Sequence, residues 1–321
     1  MRDMRSVAAG LAGERGFSIV ETMVALTVLM IVCGTVMRGV LSLTEVSTLV
    51  ANRSDMHSGV RNATELLTQE VGQAGRISLP APVALQAAVA KNVDNVLVMN
   101  PGSAGMFVGQ KLLIGTDGEQ ETVTIAAIND PSVTIAGLVR ENHPAGTAVT
   151  AQGGFSAGVV PPNQINGSTG SRLKIFGDIH DDGNLVYVEY WCDLNTGRLY
   201  RSSMPVTAPN KPAPTVEQVL IDNVEANPDG TPCFTYEMRN VTGTTFVVDV
   251  AITLTVRTQQ RDRNTGDFQR ETKALLNVAP RNVFNVWQMA SLDIDNRVQD
   301  TPASVLALLP DPVDVQMPPD P

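Results

Sequence analysis

An uninterrupted apolar segment near the N-terminus constrains this chain more than any other feature. From residue 17 to residue 37 nearly every side chain is apolar or small, and Glu21 is the only charged residue. A helix that crosses a lipid bilayer needs about 20 such residues. Three arginines and two acidic residues precede the segment, and this weakly positive flank predicts a cytoplasmic N-terminus and an exported C-terminal part.

A signal anchor or an ordinary secretory signal would have a similar composition. Residues 38–43, however, read RGVLSL and offer no small-x-small cleavage site after the apolar segment. Glu21 needs a further explanation, because a carboxylate at the centre of a membrane helix costs roughly 2.5–3.5 kcal/mol on insertion scales. Its own helix supplies no nearby basic residue, so we expect Glu21 to be protonated or to be paired from outside the helix.

The sequence GFSIVE at residues 16–21 resembles the cleavage and methylation motif of type IV prepilins and type II secretion pseudopilins. The resemblance implies that a prepilin peptidase cleaves after Gly16, on the cytoplasmic side, and that the new N-terminal Phe17 is N-methylated. It also implies that Glu21, at the fifth mature position, pairs with the N-terminal ammonium during subunit assembly. Such pairing offsets the desolvation of both charges.

The resemblance also implies a domain organisation and a set of partners. Residues 1–16 would be a leader peptide, and residues 17–76 a pilin-type helix with its transmembrane part at about 17–37. The implied partners are the prepilin peptidase, other pilin or pseudopilin subunits, an inner-membrane assembly platform and the lipid bilayer. The protein would be a single-pass inner-membrane protein, with its C-terminal part periplasmic or extracellular, until it enters a pilus or pseudopilus.

The helix is predicted to continue beyond the membrane to about Gln73, because apolar residues recur at helical spacing through residues 43–74. Gly75 is a plausible left-handed stop for it. The segment 61–76, with its closing Ala74-Gly75 pair, resembles the end of this helix in W-type minor pilins. A J-type pseudopilin of a type II secretion system is the second structural interpretation.

The remainder of the chain is rich in Gly, Pro, Val and Thr, which favours short strands and turns. We predict an inserted β module over residues 80–153, a pilin-like antiparallel sheet domain over 154–290 and a flexible Pro- and Asp-rich tail over 291–321. The module is expected to serve surface presentation or subunit contact, or to be a structural elaboration only. The predicted strands are 96–99, 111–114, 121–127, 133–135, 148–150, 171–177, 185–192, 198–201, 216–224, 233–238, 245–259 and 268–278. The predicted fold class is therefore α+β, with a long N-terminal helix packed on an antiparallel sheet.

The chain contains three cysteines. Cys33 lies in the apolar segment, where it is expected to act as an apolar side chain. Cys192 and Cys233 both lie in predicted strands. If this part of the chain faces an oxidising compartment, these two can form a disulfide.

One segment has the spacing of a calcium loop. Asp178, Asp182 and Glu189 fall at positions 1, 5 and 12, with Gly183 at position 6. His180 at position 3 argues against the site, and so does the strand predicted after Gly183. The alternatives are a hairpin turn with a solvated acidic tip, or a Ca²⁺ site that uses only the two aspartates and backbone carbonyls.

Nothing in the sequence indicates an enzyme or another cofactor. The three histidines are scattered, and no nucleophile elbow, zinc-protease motif or phosphate-binding loop occurs. A net charge of -10 disfavours non-specific binding to nucleic acid. The expected function is that of a structural subunit, a minor pilin or pseudopilin. The alternatives are a membrane-anchored adhesive or ligand-binding module with a pilin-type leader, and a tethered hydrolase.

Overall fold

The computed structural model of the protein describes residues 18–116, 118, 120–262 and 265–311. It has an α+β fold, with one long N-terminal helix followed by antiparallel sheets. The helices are α1 (Ile19–Gln73), α2 (Arg281–Ser291) and α3 (Ala303–Leu308). The first seven strands are β1 (Val83–Leu85), β2 (Val96–Asn100), β3 (Lys111–Ile114), β4 (Glu121–Asn129), β5 (Ser132–Ile135), β6 (Ala148–Ala151) and β7 (Gly154–Phe155). The remaining strands are β8 (Arg172–Gly177), β9 (Val186–Asp193), β10 (Arg198–Pro205), β11 (Val219–Asp222), β12 (Val224–Glu225), β13 (Phe234–Val241), β14 (Thr244–Arg257), β15 (Arg270–Val278) and β16 (Val298–Gln299).

Helix α1 runs for 55 residues without a break, a length of about 80 Å. Ser18 caps its N-terminus, and the Ser18 side chain accepts a hydrogen bond from the backbone N–H of Val20 at 3.3 Å. The helix ends as predicted at Gly75, which has a φ of +79°. A side chain at Gly75 would also collide with Val283, since an added Cβ would lie 2.8 Å from its methyl group.

The second half of α1 packs on the sheets through one stripe of its surface. The buried residues of the helix are Met56, Val60, Ala63, Thr64, Leu67, Glu70 and Val71. Their spacing of three and four residues is that of an amphipathic helix. The apolar members of the stripe share a core with strands β8–β15, so this part of the helix and the sheets form one folded body.

Residues 83–151 form a closed six-stranded barrel with the strand order β1-β2-β5-β4-β3-β6. All five strands predicted in this region are present, and Val83–Leu85 is an additional strand. The barrel has its own core, separate from that of the body. This core consists of Val83, Leu85, Val89, Leu97, Met99, Leu112, Ile114, Val123, Ile125, Val133, Ile135, Val139 and Val149.

The body contains two four-stranded antiparallel sheets. In the first sheet the order is β11-β10-β9-β8, and in the second β14 lies at the centre and pairs with β12, β13 and β15. Cys192 and Cys233 form a disulfide that connects β9 of the first sheet to the residue just before β13 of the second. Helix α1 contacts both sheets.

The structure differs from the predicted strand over 216–224. Residues Val216–Gln218 form a 3-10 turn instead, and the strand that follows is interrupted between β11 and β12. The interruption falls at Asn223, whose φ of +61° is incompatible with a continuous strand. The apolar residues of this segment therefore extend beyond the strand that the backbone adopts.

Residues after the second sheet are more ordered than the sequence suggests. Helix α2 was not predicted, and it covers the outer face of the second sheet through Val283, Val286 and Ala290. The predicted tail, 291–321, is also ordered as far as residue 311, because β16 pairs with β7 and α3 buries its apolar side. Residues 312–321 lie outside the described residues.

Candidate assembly interface: the N-terminal helix

The N-terminal part of α1, residues 19–37, is exposed along its whole length. The helix is long and apolar enough to cross a membrane, and none of its most apolar 18-residue window is buried in the fold. Its large apolar side chains project in all directions. The exposed ones are Ile19, Val20, Met23, Val24, Leu26, Val28, Leu29, Met30, Ile31, Val32, Val36 and Met37. An exposed apolar surface of this size marks a site of contact with a membrane or with another protein.

The polar side chains of this half are satisfied within the helix. The hydroxyl groups of Thr22 and Thr27 donate to carbonyls one turn earlier, at 3.2 Å and 2.8 Å, and Thr35 donates to the carbonyl of Val32 at 2.8 Å. Such bonding allows threonine to lie in an apolar environment, where water cannot serve as a partner. Glu21 is therefore the one side chain between Ile19 and Met37 whose polarity the helix itself does not satisfy.

Glu21 lies in the first turn of α1, where the unpaired backbone N–H groups favour a negative charge. Within the described part of the chain, no basic side chain pairs with its carboxylate. The predicted cleavage and methylation residues, Gly16 and Phe17, lie outside the described residues. The structure thus places Glu21 at the start of an exposed apolar helix and does not describe the group predicted to pair with it.

The helix joins the body near Asn52, whose side-chain amide donates to the carbonyl of Gln260 at 3.2 Å. Further along, Glu70 anchors the helix to the first sheet. Its carboxylate is 4% exposed and accepts hydrogen bonds from Arg201 on β10 and from the hydroxyl of Tyr190 on β9. Burial, together with the adjacent charge of Glu70, raises the pKa of Tyr190, so this hydroxyl is a permanent donor.

Sequence reasoning did not identify Glu70 as a functional or structural site. A signal was nevertheless present, because Glu70 lies three residues after Leu67 and seven after Ala63, on the buried stripe of α1. A carboxylate at such a position requires a buried cation or donor on the opposing element. Its partner Arg201 is 131 residues away in sequence and could not be assigned without the fold.

The disulfide between Cys192 and Cys233 lies in the main core, with both residues at most 5% exposed. The third cysteine, Cys33, is exposed on the apolar half of α1. The cysteines are thus divided between the two parts that the sequence analysis distinguished. A disulfide in the body and a thiol in the helix are consistent with different environments for the two.

The structure does not bring the predicted calcium ligands together. Asp178 is buried directly after β8, and its carboxylate accepts hydrogen bonds from the hydroxyl of Ser78 at 2.5 Å and from the backbone N–H of Asp182 at 2.9 Å. The Oδ1 atom of Asp182 accepts a hydrogen bond from the backbone N–H of Asn184, and this bond lowers the pKa of Asp182. These contacts are those of an acidic turn, which was the alternative interpretation.

Glu189, the third predicted ligand, lies in strand β9 and binds Arg172 at 2.6 Å and Lys211 at 2.8 Å. The strand that begins at Val186 carries it away from the turn. No group of three or more His, Cys, Asp or Glu side chains is arranged to hold a metal ion in the part of the chain that the structure describes.

Two of the histidines contact glutamate side chains, at separate places in the fold. His57 contacts Glu271 on β15, and His143 lies 2.8 Å from Glu121 inside the barrel. The Glu121 carboxylate also accepts from the backbone N–H of Arg140 at 2.9 Å, so this pair fixes a barrel loop. In both places the histidine connects two elements of the fold.

The apolar half of α1 with Glu21 is therefore the candidate functional site, and its chemistry is that of helix packing in an apolar medium. Comparison of the chain with protein-family models, with curated proteins and with solved structures finds no match.

Proposed function

We propose that the protein is a minor pilin or pseudopilin, a structural subunit that joins or primes a filament of the type IV pilus or type II secretion kind. A prepilin peptidase would remove residues 1–16, and Phe17 would be methylated. Before assembly, the subunit would be anchored in the inner membrane with its body on the periplasmic side. It would then enter a filament through the apolar half of α1.

One observation carries the proposal. A single carboxylate, Glu21, lies at the start of an exposed apolar helix that continues without a break into a half packed on a folded body. In a simple membrane anchor that charge would have no function, although it costs free energy in lipid. In an assembling subunit the charge would have a function, because the carboxylate can pair with an ammonium at the N-terminus of another chain. Such a pair fixes the position of one helix along its neighbour.

The first experiment is to determine the N-terminus of the protein purified from its native membrane, by intact-mass and peptide mass spectrometry. A chain that starts with N-methylated Phe17 is expected. A chain that retains Met1, in cells with an active prepilin peptidase, would contradict the proposal and leave a static anchor.

The second step uses Glu21→Ala, with Thr27→Val as a matched control that removes a polar atom from the same apolar half without removing charge. Glu21→Ala is expected to be cleaved normally and to be lost from sheared filaments. Thr27→Val is expected to be cleaved and assembled as the wild-type chain is. Equal recovery of both variants in filaments would contradict the proposed role of Glu21 in assembly.

A second candidate function is a membrane-anchored adhesive or ligand-binding module. The closed barrel favours it, since residues 83–151 form a compact unit with a core of their own. Binding of the full chain to cells, glycans or DNA, blocked by an antibody fragment against the barrel, would support this function. It would be excluded if the antibody fragment had no effect on any such binding.

A further inference from the structure

The outer face of the first sheet, opposite α1, is covered by residues 302–311, called here the strap. Phe176, Tyr187 and Met204 lie side by side on β8, β9 and β10 and form an apolar row on this face. The strap covers the row through three side chains at the spacing of one helical turn. These are Val305, Leu308 and Leu309, each at most 2% exposed.

Beyond the apolar row, two buried lysines hold the end of the strap. Lys174 is 1% exposed, and its ammonium donates to the carbonyl of Leu309 at 2.9 Å and to the carboxylate of Asp311 at 2.8 Å. The ammonium of Lys211 donates to the same carboxylate at 3.3 Å. Arg172 lies 3.7 Å from it. Three cations therefore converge on the single carboxylate of Asp311.

The strap reduces an excess of positive charge on the sheet face. Arg172, Lys174 and Lys211 face only one carboxylate of the sheet, that of Glu189, which binds Arg172 and Lys211. Burial raises the pKa of Asp311, but the hydrogen bond and charge of Lys174 outweigh it, so the pKa lies below its ordinary value. A buried ammonium without a carboxylate is costly, so the carboxylate of Asp311 stabilises the covered state of this face.

The attachment of the strap allows it to separate from the sheet. Helix α3 has six residues and follows β16 after residues 300–302, of which Asp300 is exposed. The strap has four buried residues, and the contacts around Asp311 hold its end. The buried residues are Pro302, Val305, Leu308 and Leu309. Segments with so few buried contacts open at a lower free energy than the whole fold.

We propose that this face is a binding site for a short apolar helix followed by an acidic residue, and that the strap of a second copy occupies it by exchange. A second copy presents the same three apolar side chains and the same carboxylate, so every contact is replaced by its equivalent. Exchange of an identical element is a low-cost route to a link between subunits. The proposal is independent of leader cleavage and of the role of Glu21.

The test uses the full chain in detergent micelles, prepared in a light and a ¹⁵N-labelled form. The two forms are mixed, incubated and treated with a carbodiimide, which joins a carboxylate to an adjacent amine. Peptides that connect Asp311 to Lys174 or Lys211 are then identified by mass spectrometry. Exchange predicts that heavy–light peptides rise with incubation time toward half of all peptides of this type.

The background from random contact between molecules is measured at an exposed pair on the barrel. The side chains of this pair, Lys91 and Glu141, lie 3.2 Å apart. Its heavy–light fraction is expected to stay near zero throughout. Asp311→Asn should abolish the strap cross-link, and Asp300→Asn should leave it unchanged. The proposal is overturned if the strap peptides stay within one label, if their heavy–light fraction does not exceed that of Lys91 and Glu141, or if no strap cross-link forms.

Discussion

Glu70 shows how a single residue can determine the position of a whole element. Its carboxylate lies on the buried stripe of α1 and is bound by Arg201 and Tyr190 of the first sheet. In a buried ion pair, attraction and desolvation nearly cancel, but removal of one partner leaves the other charge uncompensated. We infer that Glu70 fixes the rotation of the helix on the sheet more than it adds to the stability of the fold.

This role predicts an unequal response of two glutamates on the same helix. Glu70→Ala should lower the free energy of unfolding by about 3 kcal/mol, because Arg201 loses its buried counter-ion. Glu65, which pairs with Arg61 on the exposed surface at 2.7 Å, is the matched control. Glu65→Ala should cost about 0.5 kcal/mol or less. Denaturant unfolding of the full chain in micelles measures both, and equal losses would contradict the anchoring role.

Some residues could be singled out from the sequence and others could not, for a physical reason. Glu21 could be identified because its environment, a run of apolar neighbours, is local in sequence. The stop at Gly75 is also local, since it depends on one left-handed residue. Glu70 and Asp311 depend on cations 131 and 137 residues away, and no local pattern encodes such partners.

At the scale of elements, Gln299 is one of the side chains that connect the barrel to the body. Gln299 on β16 is completely buried, and its amide oxygen accepts from the backbone N–H of Lys111 on β3 at 2.9 Å. Its amide nitrogen donates to the carbonyls of Lys111 at 2.8 Å and Gln152 at 2.7 Å. The side chain thus substitutes for the main chain of a missing neighbouring strand.

Gln299→Leu, which keeps the volume and removes the amide, should leave these three backbone groups without partners. An unpaired buried polar group costs about 1–3 kcal/mol, so local opening of the barrel attachment should become easier by a similar amount. Hydrogen exchange at the amide of Lys111 should therefore accelerate by about tenfold or more. Gln288→Leu on the exposed side of α2 should leave that exchange rate unchanged. An unchanged rate in Gln299→Leu would show that other contacts fix the barrel.

Elements with a clear period were the predictable ones. Strands β2 and β4 of the barrel alternate over most of their length, and the five barrel strands that were predicted end within two residues of their predicted bounds. Helices α2 and α3 were not predicted. Pro280 and Pro302 precede them, and proline at a helix start is compatible with the helix. Their apolar residues are also too few to form a long periodic pattern.

At the scale of the whole molecule, two sheets pack on one helix and are linked to each other by the disulfide of Cys192 and Cys233. The disulfide therefore joins the two sheets covalently, in addition to the apolar core that both sheets share with α1.

The double variant Cys192→Ser/Cys233→Ser should measure this contribution. The two cysteines are 41 residues apart in sequence, and closing a loop of that length stabilises a fold by about 4 kcal/mol in the chain-entropy treatment. Denaturant unfolding of the full chain in micelles should show a loss of about that size. Cys33→Ser, on the exposed half of α1, should leave the free energy of unfolding unchanged. A loss below about 1 kcal/mol in the double variant would mean that packing against α1 alone holds the two sheets together.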